Sequence, residues 1–170
     1  MAKRISLREY QEGVVARLKT AAAAEHVDAH LGVRIGDSNW LLDLADVAEV
    51  MPVPPISGVP LAYHWFRGVA NVRGNLVSVS DISAFFGGQN LTQTAAARLM
   101  LLHSRHILHS AVLVDRMLGL KHLADMQPDT EAEPHAWAQA TYRDANGQRW
   151  QTLDVARLAT DPQFLQAGVN

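Results

Sequence analysis

The sequence predicts a mainly β protein made of two similar small barrels, led by a helix and punctuated by short capped helices. Three observations carry this. From Leu31 onward, short apolar runs are broken every few residues by Gly, Asn, Asp or Pro, the texture of a strand-rich domain. The two halves also repeat one unit. Gly74 is followed seven residues later by Asp81, then Ile82 and Phe85; Gly147 is followed seven residues later by Asp154, then Val155 and Leu158. Finally, 170 residues of which 48% are hydrophobic and 19% charged can bury a substantial core. Closing each small sheet removes edges that would otherwise pair with other chains.

Taken in order, residues 6 to 24 read as a helix. Ser6 and Glu9 form a capping box, and Leu7, Tyr10, Val14 and Leu18 recur at helical spacing. That apolar face serves either its own domain or a partner groove. We set this segment as residues 1–26 and the folded domain as 27–165, with a first barrel at about 31–88 and a second at about 96–160. Leu31, Val33 and Ile35 alternate into a Gly36–Asn39 turn and a second strand, Trp40 to Leu44. Val47 to Val53 continues extended, and the prolines at 52, 54, 55 and 60 mark a loop, because proline cannot donate to a ladder. Strands at Gly68–Val72 and Leu76–Val79 flank an Arg73-Gly74-Asn75 turn, and Ser80-Asp81 caps a short helix ending at Gly87. A polar loop from Gly88 to Thr94 follows.

The second half supplies strands at Arg98–His103 and Ile107–Val114, then an acidic, proline-flanked connector holding Asp125, Asp129, Glu131 and Glu133. Strands at Trp137–Arg143 and Arg149–Leu153 enclose an Asp144–Gly147 turn, and Asp154 caps a last helix through Leu158.

Charge and composition narrow the function. The formal charge of −2 offers no field for phosphate backbones or anionic lipid. With no cysteine, disulfides, thiolate metal sites and cysteine nucleophiles are excluded, consistent with a reducing cytoplasm. The N-terminus lacks the apolar core of a signal peptide, and no apolar run reaches the roughly 18 residues of a membrane span. A cytoplasmic protein without membrane insertion is expected.

No catalytic pattern emerges. His103, His106 and His109 recur every third residue, but no carboxylate lies among them to complete a metal set, and they read as surface histidines. There is no Gly-x-Ser-x-Gly elbow, and Ser78, Ser80 and Asp81 are explained by a strand end and a helix cap. Phosphate-cradling glycine loops are also missing. Tyr63, Trp65 and Phe66 beside Arg67 and Arg73 are able to stack single-stranded bases, or else to plug a barrel end. The acidic total favours the plug.

The run Trp65-Phe66-Arg67-Gly68-Val69-Ala70-Asn71-Val72-Arg73-Gly74-Asn75-Leu76-Val77-Ser78-Val79-Ser80-Asp81-Ile82 resembles the signature of the CheW family, a Gly-Val-x-Asn-Leu-Arg-Gly strand and turn followed by an apolar strand and an Asp-Leu cap. Leu31–Ile35 and Val47–Val50 resemble that family's opening strands, and Val114–Leu120 its Val-Asp-x-Val-x-Gly-Val segment. The Ser6–Gln11 helix resembles the CheW-like adaptors of type IV pilus twitching systems more than those of flagellar chemotaxis.

This resemblance implies tandem five-stranded barrels of SH3/OB-like form, no cofactor and no catalysis. It also implies two partners, the regulatory domain of a CheA-type histidine kinase and the cytoplasmic tip of a methyl-accepting chemoreceptor. The implied contact residues are Val47, Glu49, Gly68, Asn71, Arg73 and Gly74. An arginine and a carboxylate at such a surface fix register between partners more than they add affinity. If exposed and merely structural, the same ion pair contributes about 0–1 kcal/mol.

Overall fold

A computed structural model of the protein describes residues 29–168. The sequence-predicted N-terminal helix at 6–24 lies outside the described residues. Eleven strands run in chain order: β1 Ala29–Ile35, β2 Ser38–Asp43, β3 Val47–Pro52, β4 Phe66–Val72, β5 Asn75–Asp81, β6 Arg98–Leu102, β7 Ser110–Val114, β8 Arg116–His122, β9 Gln127–Pro128, β10 Ala138–Arg143 and β11 Arg149–Leu153. Three short helices occur among the described residues: α1 Ile82–Phe85, α2 Val155–Thr160 and α3 Pro162–Leu165. The fold is mainly β, as expected.

The strand-turn-strand-helix unit occurs twice, as β4-β5-α1 and β10-β11-α2. In each, the aspartate caps the helix: Asp81 Oδ1 accepts from the Ala84 N–H and Asp154 Oδ1 from the Arg157 N–H. Asp81, wholly buried, also accepts from the Leu91 N–H at 2.6 Å and so ties down the loop after α1. A buried carboxylate with several donors is satisfied rather than costly.

The boundary between the two halves is corrected by the pairing. The strands do not divide into barrels at 31–88 and 96–160. One sheet runs β8-β1-β2-β11-β10-β9 and the other β3-β6-β7-β5-β4. The β1-β2 hairpin of the first half therefore sits in the sheet built by the second half, and the β6-β7 hairpin of the second half sits in the sheet of the first. Each exchanged hairpin docks through a parallel ladder, β2 on β11 and β7 on β5. The chain crosses between sheets at the turn Leu44–Asp46 and at Asp115. Local hairpin signals are identical for either arrangement, so only long-range pairing distinguishes them.

The exchange explains the burial. Leu99 and Leu113 join a cluster with Ala70, Val72, Val77 and Val79 on one face of the five-stranded sheet. The alternate residues Met100, Leu102, Val112 and Val114 join the largest cluster, which also holds Leu31, Val33, Trp40 and Leu42 of the other sheet. A smaller cluster of Leu41, Met126 and Trp150 lies on the second face of the six-stranded sheet. Every residue of β7 is consequently buried, and it reads as a continuous apolar run without alternation.

Several boundaries moved. β7 begins at Ser110 because His109 adopts a left-handed φ of 49°, leaving Ile107–His109 in a loop. β8, with Gly119 and three basic residues, carries no clear apolar alternation, yet it forms the edge beside β1. α3 begins at Pro162 behind an Asp161 cap.

The loop at 52–60 folds back as expected of its prolines, and Ser57 exchanges two backbone hydrogen bonds with Val69 on the outer edge of β4. Gly68 makes this approach possible. It holds φ at +129°, and a Cβ there would stand 1.9 Å from the Ser57 carbonyl oxygen. We therefore expect Gly68→Ala to lower stability by about 2–3 kcal/mol, read as a Tm drop of about 5–10 °C in thermal unfolding. An unchanged Tm would show that the loop docks independently of Gly68.

His135 packs its ring against Trp40 and Phe86, with centroids at 5.1 and 4.7 Å, and its Nδ1 accepts from the Trp137 N–H. Burial pushes its pKa below the ordinary 6.5. The folded state thus takes up its proton at lower pH than the unfolded chain, which binds one below about pH 6.5, so this contribution is present at neutral pH and lost on acidification. Between about pH 7.5 and pH 5.5 the wild type should lose more Tm than His135→Phe does. Equal losses would contradict the assignment.

Candidate functional site

The site begins at the β4-β5 turn. Arg73 and Gly74 occupy its two central positions with φ of 53° and 82°. Both being positive, the geometry matches the twist of the flanking strands and favours glycine at the second position. Arginine in the left-handed region costs energy that the surroundings must offset. Asn71 supplies part of this: its Oδ1 accepts from the Gly74 N–H at 2.8 Å. The turn is thereby held with the Arg73 side chain projecting sideways.

The arginine donates to Glu49 on β3, with Nη2 and Oε1 2.7 Å apart. β3 and β4 are the two opposite edges of the five-stranded sheet. This ion pair therefore joins the ends of the curled sheet and closes it at one mouth. The partners are unequal, since Arg73 is 42% exposed and Glu49 only 8%.

A β-bulge places the carboxylate. The ladder between β3 and β6 shifts register between Val47 and Glu49, so that Val47 faces Leu102 and Glu49 faces Leu101. Leu101 and Leu102 point to opposite faces, so Val47 and Glu49 do too. Val47 is fully buried in the cluster between the sheets. The expected exposure of Val47 is thus corrected: it is buried for packing, and Gly68 is buried where the loop approaches β4. Asn71, Arg73 and Gly74 are exposed, with Glu49 directly behind Arg73.

Beside the pair runs a shallow groove lined by Ala48, Val72, Leu101, His103, Leu108 and His109 among others. Leu108 is 68% exposed at its rim and Leu76 66% exposed on β5. These apolar residues were not among the sequence candidates. Leu108 had been assigned to a strand, and the signal that frees it is the left-handed His109. At the foot of the same loop, Asp46 binds His106 Nε2 at 2.6 Å and Arg105 Nη2 at 2.7 Å. His103 and His109 stand at opposite ends of the loop. Among the described residues no group of three or more His, Asp or Glu is placed to hold a metal ion.

The stacking alternative loses its platform. Trp65 is 7% exposed, enclosed by Tyr63, Phe66, Phe85 and Phe164 with ring centroids 5.0–6.2 Å away. It plugs the space beneath α1 and α3. No helix among the described residues is long and apolar enough to cross a membrane.

Two sheets that exchange hairpins, the five-stranded one closed by an Arg–Glu pair at an Arg-Gly turn, define the class of β protein to which the chain belongs. The chain belongs to the CheW-like domain family, whose model matches residues 29–163. Protein PilI of Pseudomonas aeruginosa is 26% identical over 144 residues, covering 82% of this chain and 79% of that protein. The crystal structure of the scaffolding protein TtCheW from Thermoanaerobacter tengcongensis shares the fold, with a TM-score of 0.66 at 17% identity over 81% of this chain and 95% of that one.

Glu49, largely buried, needs its partner, whereas Arg73 reaches water. Arg73→Ala should cost about 1–3 kcal/mol by leaving the carboxylate underbonded, and Glu49→Gln should recover most of that loss in the double variant. Chemical denaturation of the four proteins reads this directly. An Arg73→Ala penalty that is the same with Glu or Gln at position 49 would show that the pair is not coupled.

Proposed function

We propose that this protein is a non-catalytic adaptor coupling methyl-accepting chemoreceptors to a CheA-type histidine kinase, in signalling linked to type IV pili and twitching motility. Membership of the CheW-like family and the similarity to PilI support this reading. The observation that carries it is the Arg73 mouth. A half-exposed guanidinium, fixed from behind by Glu49 and beside a groove that holds Leu101 and the exposed Leu108, combines apolar area with an oriented fork of donors.

Such a surface suits a helical hairpin tip, which offers an apolar stripe with carboxylates or carbonyls beside it. Arg73, Asn71 and Gly74 make the direct contacts in this reading. Glu49 positions the arginine, and Val47 and Gly68 hold the strands beneath. The kinase domain then takes a separate end of the sheets. Electrostatics at the rim sets register and encounter rate, and the leucines supply burial of about 25 cal/mol per Å².

The test uses the purified full chain against the receptor tip and the kinase regulatory domain from the same organism. We expect Leu108→Glu and Arg73→Glu each to weaken receptor-tip binding at least about tenfold, which is about 1.4 kcal/mol, while Leu108→Glu keeps the wild-type Tm. Wild-type affinity in both variants would move the receptor site elsewhere. A wild type that binds neither partner would overturn the adaptor reading.

A further inference from the structure

We propose that the end of the six-stranded sheet carries a second binding site, for an oxyanion of the carboxylate or phosphate class, built from Arg34, Arg143 and Arg149. The three arginines line one concavity together with Ser38, Asn39, Gln148, Gln151 and a single carboxylate, Asp37. They arrive there from separate ladders. Arg143 stands opposite Arg149 across β10 and β11, Arg34 stands opposite Asn39 across β1 and β2, and the parallel pairing of β2 with β11 sets the two hairpins side by side. Like charges directly opposite on neighbouring strands are destabilising unless an anion lies between them.

The chain supplies only part of that anion. Asp129, its side chain 6% exposed, accepts from Arg143 Nε at 2.8 Å and lies 3.8 Å from Arg149 Nε. One carboxylate thus serves two guanidiniums. Arg34 is held by neutral acceptors alone, the Asn39 Oδ1 at 2.8 Å and the Gly36 carbonyl at 3.2 Å. Of the other acids nearby, Asp115 accepts from the Gly36 N–H and Asp144 from the Asn146 and Gln148 N–H groups and Trp150 Nε1, while Asp37, at the concavity itself, accepts from the Ser38 hydroxyl at 3.4 Å and leaves the lining with three guanidiniums to one carboxylate.

Arg34 and Arg143 are therefore preorganised by their own hydrogen bonds. The Arg149 side chain, 48% exposed, has the loosest tie of the three, its Nε 3.8 Å from Asp129 Oδ2. Two forks fixed by hydrogen bonds and one held only at ion-pair distance around a concave site are the geometry for bidentate oxyanion recognition, which arginine provides and lysine does not. The site shares no residue with the Arg73 groove and does not depend on the adaptor reading.

The test is titration calorimetry of the full chain with inorganic phosphate and, separately, with a hexaglutamate peptide, at low and high salt. We expect saturable binding that weakens with salt and falls at least about tenfold in Arg149→Ala, a variant that removes only the loosest of these ties and should keep the wild-type Tm. Binding of phosphate alone assigns a free small oxyanion, and binding of the peptide in competition with phosphate assigns an acidic protein segment. No saturable binding of either probe to the wild type, or equal affinity in Arg149→Ala, would overturn the proposal.

Discussion

The exchange of hairpins between the two sheets is the constraint on which the rest of the molecule depends. Because β1-β2 and β6-β7 each leave the half of the chain that encodes them, neither sheet is complete without the other half. Of the crossing strands, β2, β6 and β7 bury apolar residues on both faces, one toward the sheet's own cluster and the other toward the shared cluster, and β1 buries its apolar face in the shared cluster. A lost contact in that shared layer is felt by both sheets, since packed interiors relax poorly. What reads as two tandem units in sequence is therefore one cooperative body.

That rigidity gives the Arg73 mouth its character. A β3 edge free to move could not hold a buried carboxylate at hydrogen-bond distance from a turn on the opposite edge. β3 is anchored by Val47 in the shared cluster, and the bulge next to it turns Glu49 to the other face. Asn71 fixes the turn from the other side. The strained arginine is thus supported by packing at one end and a hydrogen bond at the other. A binding surface built on such a frame loses little conformational entropy when a partner arrives. The basic concavity on the six-stranded sheet rests on the same frame, through the parallel ladder that joins β2 to β11.

Much of this was legible in the residues. Alternation at Leu31, Val33 and Ile35, the Arg73-Gly74-Asn75 turn and the caps at Asp81 and Asp154 are local signals, and each formed where local chemistry places it. Only resemblance pairs Glu49 with Arg73, because a sequence separation of 24 hides an edge-to-edge contact from any local pattern. The barrel boundaries failed for the same reason: a hairpin's sequence encodes its turn and faces but not its neighbour. The burial of Val47 and Gly68 was not legible, because a strand residue's outward or inward direction flips at a bulge, and a bulge leaves no reliable mark in sequence. Leu108 was missed because an apolar run ending in His109 looks like strand until the backbone turns left-handed.

Native-state hydrogen exchange under low denaturant tests the interleaved core most directly. It compares the amides of the β2-β11 ladder near Trp40 and Thr152 with those of the β5-β7 ladder near Val79 and Ala111. If the exchanged hairpins make one body, both ladders open only by global unfolding, with free energies that agree within about 1 kcal/mol. If one ladder opens several kcal/mol below the other, the two sheets are separable units and the frame proposed for the Arg73 mouth does not exist.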